Sequence, residues 1–122
     1  MAWPEKMAAV LWVAVGIKHA IESGVKIALG TDAAVYPHGL SAHELDVYVN
    51  QMGMTPLAAL QSATINAADL MGWSAKTGSI EPGHWADIIA VERNPLEDVR
   101  VLQHVSFVMK DGTVYKDEAV KQ

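Results

Sequence analysis

The run Val25-Lys26-Ile27-Ala28-Leu29, closing on Gly30-Thr31-Asp32, constrains this chain more than any other stretch. Its near-continuous apolar character predicts a strand buried on both faces, the habit of parallel sheets. Such a strand needs neighbours on both edges, because its backbone N–H and C=O groups cannot stay unpaired in a core. The 122 residues supply no second strand–helix–strand unit. Its neighbours are therefore the small β segments further on, another chain, or the rest of a longer parent protein. Parallel α/β folds place active-site groups at the C-terminal ends of such strands. Asp32 is thus the first candidate for chemistry.

The flanking elements follow from spacing and end signals. Trp3-Pro4-Glu5 opens a helix, with Pro tolerated in the first turn and Glu favoured by the dipole. Ala8, Leu11, Trp12, Val15 and His19 form one stripe, and Val10, Val13, Ala14, Ile17 and Ile21 a second, so this helix should be covered on more than one side. Ser23-Gly24 ends it with glycine at C′. The continuous apolar stretch Met7–Ile17 follows Lys6 like the core of a signal peptide. It is too short to span a bilayer and lacks a small-x-small cleavage site, so a buried helix is the expectation. Lys26 sits at the start of the strand, where an open end lets its ammonium reach water.

Ser41-Ala42-His43-Glu44 reads as a capping box ahead of Leu45, Val49 and Met52, with Gly53 as the stop. Thr55-Pro56 is an N-cap and N1 pair for a helix through Leu57, Leu60 and Thr64. Asn66-Ala67-Ala68-Asp69 restarts helix into Leu70-Met71 and ends at Gly72. Beyond Gly72 the character changes. Gly78 and Pro82-Gly83 mark turns, Asp87–Val91 reads as a strand, and Asn94-Pro95 breaks it. Val105–Met109 and Thr113–Tyr115 flank Lys110-Asp111-Gly112, a strong hairpin signal. The division is 1–72, helical around one strand, and 73–122, a small β unit.

Composition narrows the function classes. Half the residues are apolar (51%) and 19% are charged, so the chain can bury a core. A net charge of −5 without Lys/Arg runs argues against nucleic acid, and the apolar helix lacks the basic face of a membrane binder. The absence of cysteine excludes disulfides and thiolate metal sites and fits a reducing cytoplasm.

Several blocks then occur in a telling order: Gly30-Thr31-Asp32; Pro37-His38-Gly39; Gly53-Met54-Thr55-Pro56-Leu57-Ala58-Ala59-Leu60; Ala63-Thr64-x-Asn66-Ala67-Ala68-x-Leu70-x-Gly72; Gly78-Ser79-Ile80-Glu81-Pro82-Gly83-x-x-Ala86-Asp87; Asn94-Pro95-Leu96; Val108-Met109-Lys110-Asp111-Gly112. From about Gly24 to Lys116 they resemble the C-terminal part of the metal-dependent amidohydrolase superfamily, with the imidazolonepropionase-like and Xaa-Pro dipeptidase-like (prolidase-like) members most similar. The resemblance implies an α/β fold: a C-terminal fragment of a (β/α)8 TIM-type barrel, followed by a small β-sandwich portion. Residues 1–72 would be the barrel-derived segment, with the strand before Asp32 as the eighth, and 73–122 the sandwich share. It implies hydrolysis of a C–N bond by water activated on one or two zinc ions. Asp32 would be metal ligand and general acid/base.

The departure is equally clear. The family's metal site also uses a His-x-His pair and two further histidines. Here His19, His38, His43, His84 and His104 match none of these positions. One carboxylate cannot hold a catalytic zinc, which takes about three protein ligands. The resemblance therefore implies roughly the last quarter to third of such an enzyme, inactive as an isolated chain and acting on a small-molecule or dipeptide-like substrate only within its parent.

Thr31 and His38, beside Asp32 and in the following loop, are the substrate-binding candidates. Each also has a plainer role, Thr31 bonding nearby backbone and His38 standing in solvent. Asp32 itself can cap its own turn. His43 is expected at the surface, His19 at the core edge, and His84 with Trp85 as a lid on the small sheet. Asp117 and Glu118 read as a solvated tail. The alternative to the hydrolase reading is a non-catalytic module stabilised as a homo-oligomer through its open strand edges.

Overall fold

Helix α1 (Trp3–Glu22) ends as its glycine signal requires. Gly24 lies at φ +74°, its N–H bonds the Ile21 carbonyl at 3.0 Å, and the Val25 N–H bonds the Ala20 carbonyl at 3.0 Å. This is a Schellman end, open to glycine because no Cβ strains the left-handed residue. The structure, a computed structural model, describes residues 3–32 and 37–118, with side chains from Val13 onward. The packing expected of Ala8, Val10, Leu11 and Trp12 lies outside those side chains. Further along, α1 is less covered than its stripes imply: Val13 and Val15 are exposed, and so is His19. Ile21, by contrast, packs on the core.

The strand expected at Val25–Leu29 is not formed; residues 25–32 belong to no helix or strand. No ladder partner lies beside them among the described residues, because the strands of the chain pair only with one another. One side of the segment is tied to helices instead. The Leu29 N–H donates to the Ser62 carbonyl and Asn66 Nδ2 to the Ile27 carbonyl, both at 2.9 Å. Lys26 is exposed, as expected, and its Nζ also lies 2.6 Å from Asp69 Oδ2.

Helix α2 (His43–Asn50) starts without the expected capping box. Its N-cap is Ala42, and no side chain caps it. The amides of His43, Glu44 and Leu45 instead bond the carbonyls of Leu40, Ser41 and Ala42, so tight backbone turns satisfy the donors that Ser41 would have served. Helix α3 (Pro56–Ala63) begins as read: Thr55 Oγ1 accepts from Ala58 N–H at 3.2 Å, with Pro56 in the first turn. Thr64, at φ −125° and ψ −96°, then breaks the helix before α4 (Ile65–Leu70) resumes it. A second Schellman pair closes α4, from Gly72 to Asp69 and from Trp73 to Ala68.

The second half holds a three-stranded antiparallel sheet in the order β1 (Ile88–Ala90), β2 (Phe107–Lys110), β3 (Thr113–Asp117). Asp111 (φ +48°) and Gly112 (φ +75°) both take the left-handed conformation that a two-residue hairpin turn demands. Asp117 is no tail residue: it ends β3 opposite Phe107, and Glu118 N–H bonds the Ser106 carbonyl at 2.9 Å. A short 3-10 helix, Val99–Gln103, is capped by Asp98. It was not legible as an element, yet it completes the core. Val99 and Leu102 pack with Leu45, Met54 and Ala59, so the core draws on both halves of the chain.

Gly78 fixes how the turn after α4 meets the helices. At φ +97° it lies so close to the α3–α4 break that a Cβ there would stand 2.8 Å from Ala68 Cβ, 3.1 Å from the Thr64 carbonyl oxygen and 3.2 Å from Ile65 Cα. Two of those three atoms are backbone and cannot swing aside. Gly78→Ala adds left-handed strain to overpacking, and we expect a loss of about 2–4 kcal/mol. Urea unfolding of the two proteins checks this; an unchanged midpoint would remove the contact from the fold's essentials.

Candidate functional site

The helix-held segment 27–29 delivers Gly30, Thr31 and Asp32 to the surface. Asp32 is exposed and sits at φ +45°, one of two non-glycine residues with positive φ among those described. Aspartate tolerates this conformation because its short polar side chain bonds locally. Thr31 is half-buried, and His38 is exposed in the turn Pro37–Leu40. The stretch Ala33-Ala34-Val35-Tyr36 between them lies outside the described residues. No described hydrogen bond joins Thr31, Asp32 and His38.

The other histidines have separate surroundings. His43 faces Asp46 one turn on, with Nδ1 3.8 Å from Oδ2. His84 is folded into its own turn, Nδ1 lying 3.2 Å from both the Ser79 carbonyl and Ser79 Oγ, while Ser79 Oγ donates to Glu81 at 2.6 Å. Among the described residues no three His, Asp or Glu side chains gather where a metal could sit.

A polar cluster that the sequence did not announce braces the hairpin. Asp87, just ahead of β1, accepts from Lys110 Nζ at 2.5 Å and from the Asp111 N–H at 2.8 Å. The Gly112 N–H bonds the Ala86 carbonyl at 3.2 Å. The Lys110 ammonium, then the Asp111 amide, hold the Asp87 carboxyl below the usual carboxylate range. The Trp85 ring lies 5.8 Å from Trp73, edge to face, with Lys76 and Lys110 Nζ at 5.6 and 5.9 Å from its centre. Trp85 thus lies beside the Lys110 ammonium and is itself exposed. Only Asp-Gly was readable here; Asp87 is 24 positions from Asp111, beyond any local pattern.

A cleft of about 340 Å³ opens between the α3–α4 break and β1, lined by Thr64, Met71, Gly78, Ile80, Asp87 and Ile88 among others. It includes none of Thr31, Asp32 and His38. Ile80 and Ile89 of its lining are exposed at 82% and 55%. That is a large uncovered apolar area for a small chain.

Comparison with known proteins gives one answer. The chain matches the Amidohydrolase family over residues 14–116. It is 47% identical to ochratoxinase of Aspergillus niger over 105 residues, which are 83% of this chain and 22% of that protein. It is 38% identical to imidazolonepropionase of Geobacillus kaustophilus over 101 residues, covering 77% of this chain and 23% of that protein. Among solved structures, a Xaa-Pro dipeptidase with methionine bound in its active site superposes with TM-score 0.80 at 47% identity, covering 85% of this chain and 25% of the dipeptidase. The Aspergillus niger ochratoxinase structure gives TM-score 0.83 at 40% identity, covering 96% and 28%. The chain thus spans about a quarter of the length of the relatives it matches.

Two outcomes follow from this geometry. Asparagine suits the left-handed conformation as well as aspartate, so Asp32→Asn should change stability by no more than about 0.5 kcal/mol; thermal unfolding measures it. The depressed carboxyl of Asp87 contributes stability that is present above the unfolded pKa, about 3.9, and is lost as pH falls through the lower folded value. Urea midpoints at successive pH values should therefore drop more steeply below about pH 4 in the parent chain than in Asp87→Asn. Parallel curves would show that the ion pair contributes nothing to folding.

Proposed function

Since the chain belongs to the amidohydrolase family, we propose that it supplies the Asp32-bearing C-terminal part of an enzyme that hydrolyses a C–N bond. The match over residues 14–116 carries this reading, because it encloses Thr31, Asp32 and His38. Residues 1–72 are then the barrel-derived segment and 73–122 the sandwich-derived unit. The exposed apolar residues of α1, α4 and β1 support it: in such a fold, further polypeptide covers them. The absence of cysteine fits work in the cytoplasm.

In this reading the Asp32 carboxylate takes a proton from the attacking water as oxygen adds to the carbonyl carbon. It returns that proton to the nitrogen as the C–N bond breaks. Asp32 is exposed in a loop, where substrate and water reach it. Thr31 and His38 flank it as the substrate-side groups. The names of the relatives point to a dipeptide ending in proline or a cyclic amide as the substrate class. Zinc does not fit the described residues by themselves: about three ligands are needed, and Asp32 offers one. A zinc ion would take Asp32 together with ligands from polypeptide outside this chain.

A second reading, a non-catalytic homo-oligomeric module, draws on β1 and β3 as the outer strands of the sheet among the described residues and on the same exposed apolar residues. The hydrolase reading is preferred because the family match runs through residues 14–116.

Grafting residues 14–118 into the Xaa-Pro dipeptidase, in place of its matching quarter, tests the proposal. The expected outcome is zinc-dependent cleavage of an aminoacyl-proline substrate, lost by about 100- to 10,000-fold in Asp32→Asn. The isolated 122-residue chain should show no turnover. A folded graft without activity, or one indifferent to Asp32→Asn, would defeat the assignment.

A further inference from the structure

We propose that the α3–α4 break is a positioning device for Asp32, with Asn66 as its principal positioning residue. This rests on the reading of Asp32 as the proton carrier. In an unbroken helix the Ser62 carbonyl would accept from the amide of Asn66, four residues on. The turn at Thr64 frees that carbonyl, and the Leu29 N–H takes it at 2.9 Å. Asn66, no longer stacked in register, sends its side-chain Nδ2 to the Ile27 carbonyl, also at 2.9 Å. The two bonds alternate along residues 27–29 as a neighbouring strand's bonds would, one accepting a backbone N–H and one donating to a backbone C=O.

Neither clamp atom can drift far. Ser62 is fully buried, and its hydroxyl donates to the Ala59 carbonyl at 2.7 Å. Thr64 Oγ1 donates to the Leu60 carbonyl at 2.7 Å, holding the distorted turn. Gly78 lies close enough to this turn that a Cβ there would stand within 3.2 Å of the Thr64 carbonyl oxygen, Ile65 Cα and Ala68 Cβ. A third tie, Lys26 to Asp69, is exposed and contributes less. Asp32 follows Leu29 by three residues and takes a left-handed backbone angle, so its direction depends on how firmly residues 27–29 are held.

Amide hydrogen exchange on the full 122-residue chain tests the clamp without any turnover. Asn66→Ala, and the similarly shaped non-donor Asn66→Asp, should speed exchange at the Leu29 amide by about tenfold, the factor that one net hydrogen bond supplies. The heteronuclear NOE of the Asp32 amide should fall, while the β2 and β3 amides keep their protection. Unchanged exchange at Leu29, or equal loss in the hairpin, overturns the proposal; equal loss would mark Asn66 as a general stabiliser. In the dipeptidase graft the same variants should lower kcat by about tenfold or more with KM retained, and a raised KM with kcat intact counts against positioning. A graft inactive before any Asn66 change defeats the hydrolase reading alone, and the exchange result still decides the clamp.

Discussion

The close approach of Gly78 to the broken turn at Thr64 is one point, beside the shared core, at which the two halves of this chain depend on each other. A continuous helix from Pro56 to Leu70 would keep its carbonyls to itself. The break exports one of them, on Ser62, to the segment that leads to Asp32. The turn carrying Gly78 closes over the same residues, and glycine alone leaves room there. The 3-10 helix of the second half then seats Val99 and Leu102 against α2 and α3. One local distortion thus sets a long-range backbone hydrogen bond, and the apolar core joins the two halves beside it.

The legible parts of the sequence were those governed by local rules. Gly24 and Gly72 closed their helices, Thr55-Pro56 opened one, and Asp111-Gly112 made the hairpin, because each effect is decided within a few residues. Ser41 misled, since backbone turns had already satisfied the amides it would have capped. The Val25–Leu29 strand misled for a different reason. Its apolar pattern records a preference for burial, but a strand exists only with a ladder partner, and among the described residues none is there. The exposure of His38 was readable; the clamp of Ser62 and Asn66 was not, because its partners lie more than 30 positions away.

Charge is used sparingly and mostly at the surface. Lys26–Asp69, Arg100–Asp98 and Lys116–Glu118 are exposed pairs whose contribution is small in water. Asp98 holds two donors as well, both on Arg100 two residues on, whereas Asp87 holds the Lys110 ammonium and the Asp111 amide of a hairpin distant in sequence. The carboxylate thereby links the start of β1 to the turn between β2 and β3. Lys110 is shared with the face of Trp85, so the aromatic pair and the ion pair reinforce one geometry.

Ligation and positioning make different demands on a catalytic carboxylate. Ligation needs several donors converging on one point, and the described residues offer no such convergence. Positioning needs only that the backbone before the carboxylate be fixed, which a few buried hydrogen bonds accomplish. Ser62, buried and doubly engaged, and Asn66, half-buried with its amide on Ile27, meet the second demand within this chain. On the proposed hydrolase reading, the direction of Asp32 is set within this chain, and metal ligands would come from further polypeptide. A carboxylate held through its backbone keeps both oxygens free for water and leaving group, whereas one held by side-chain hydrogen bonds would lose acceptor capacity to its own support.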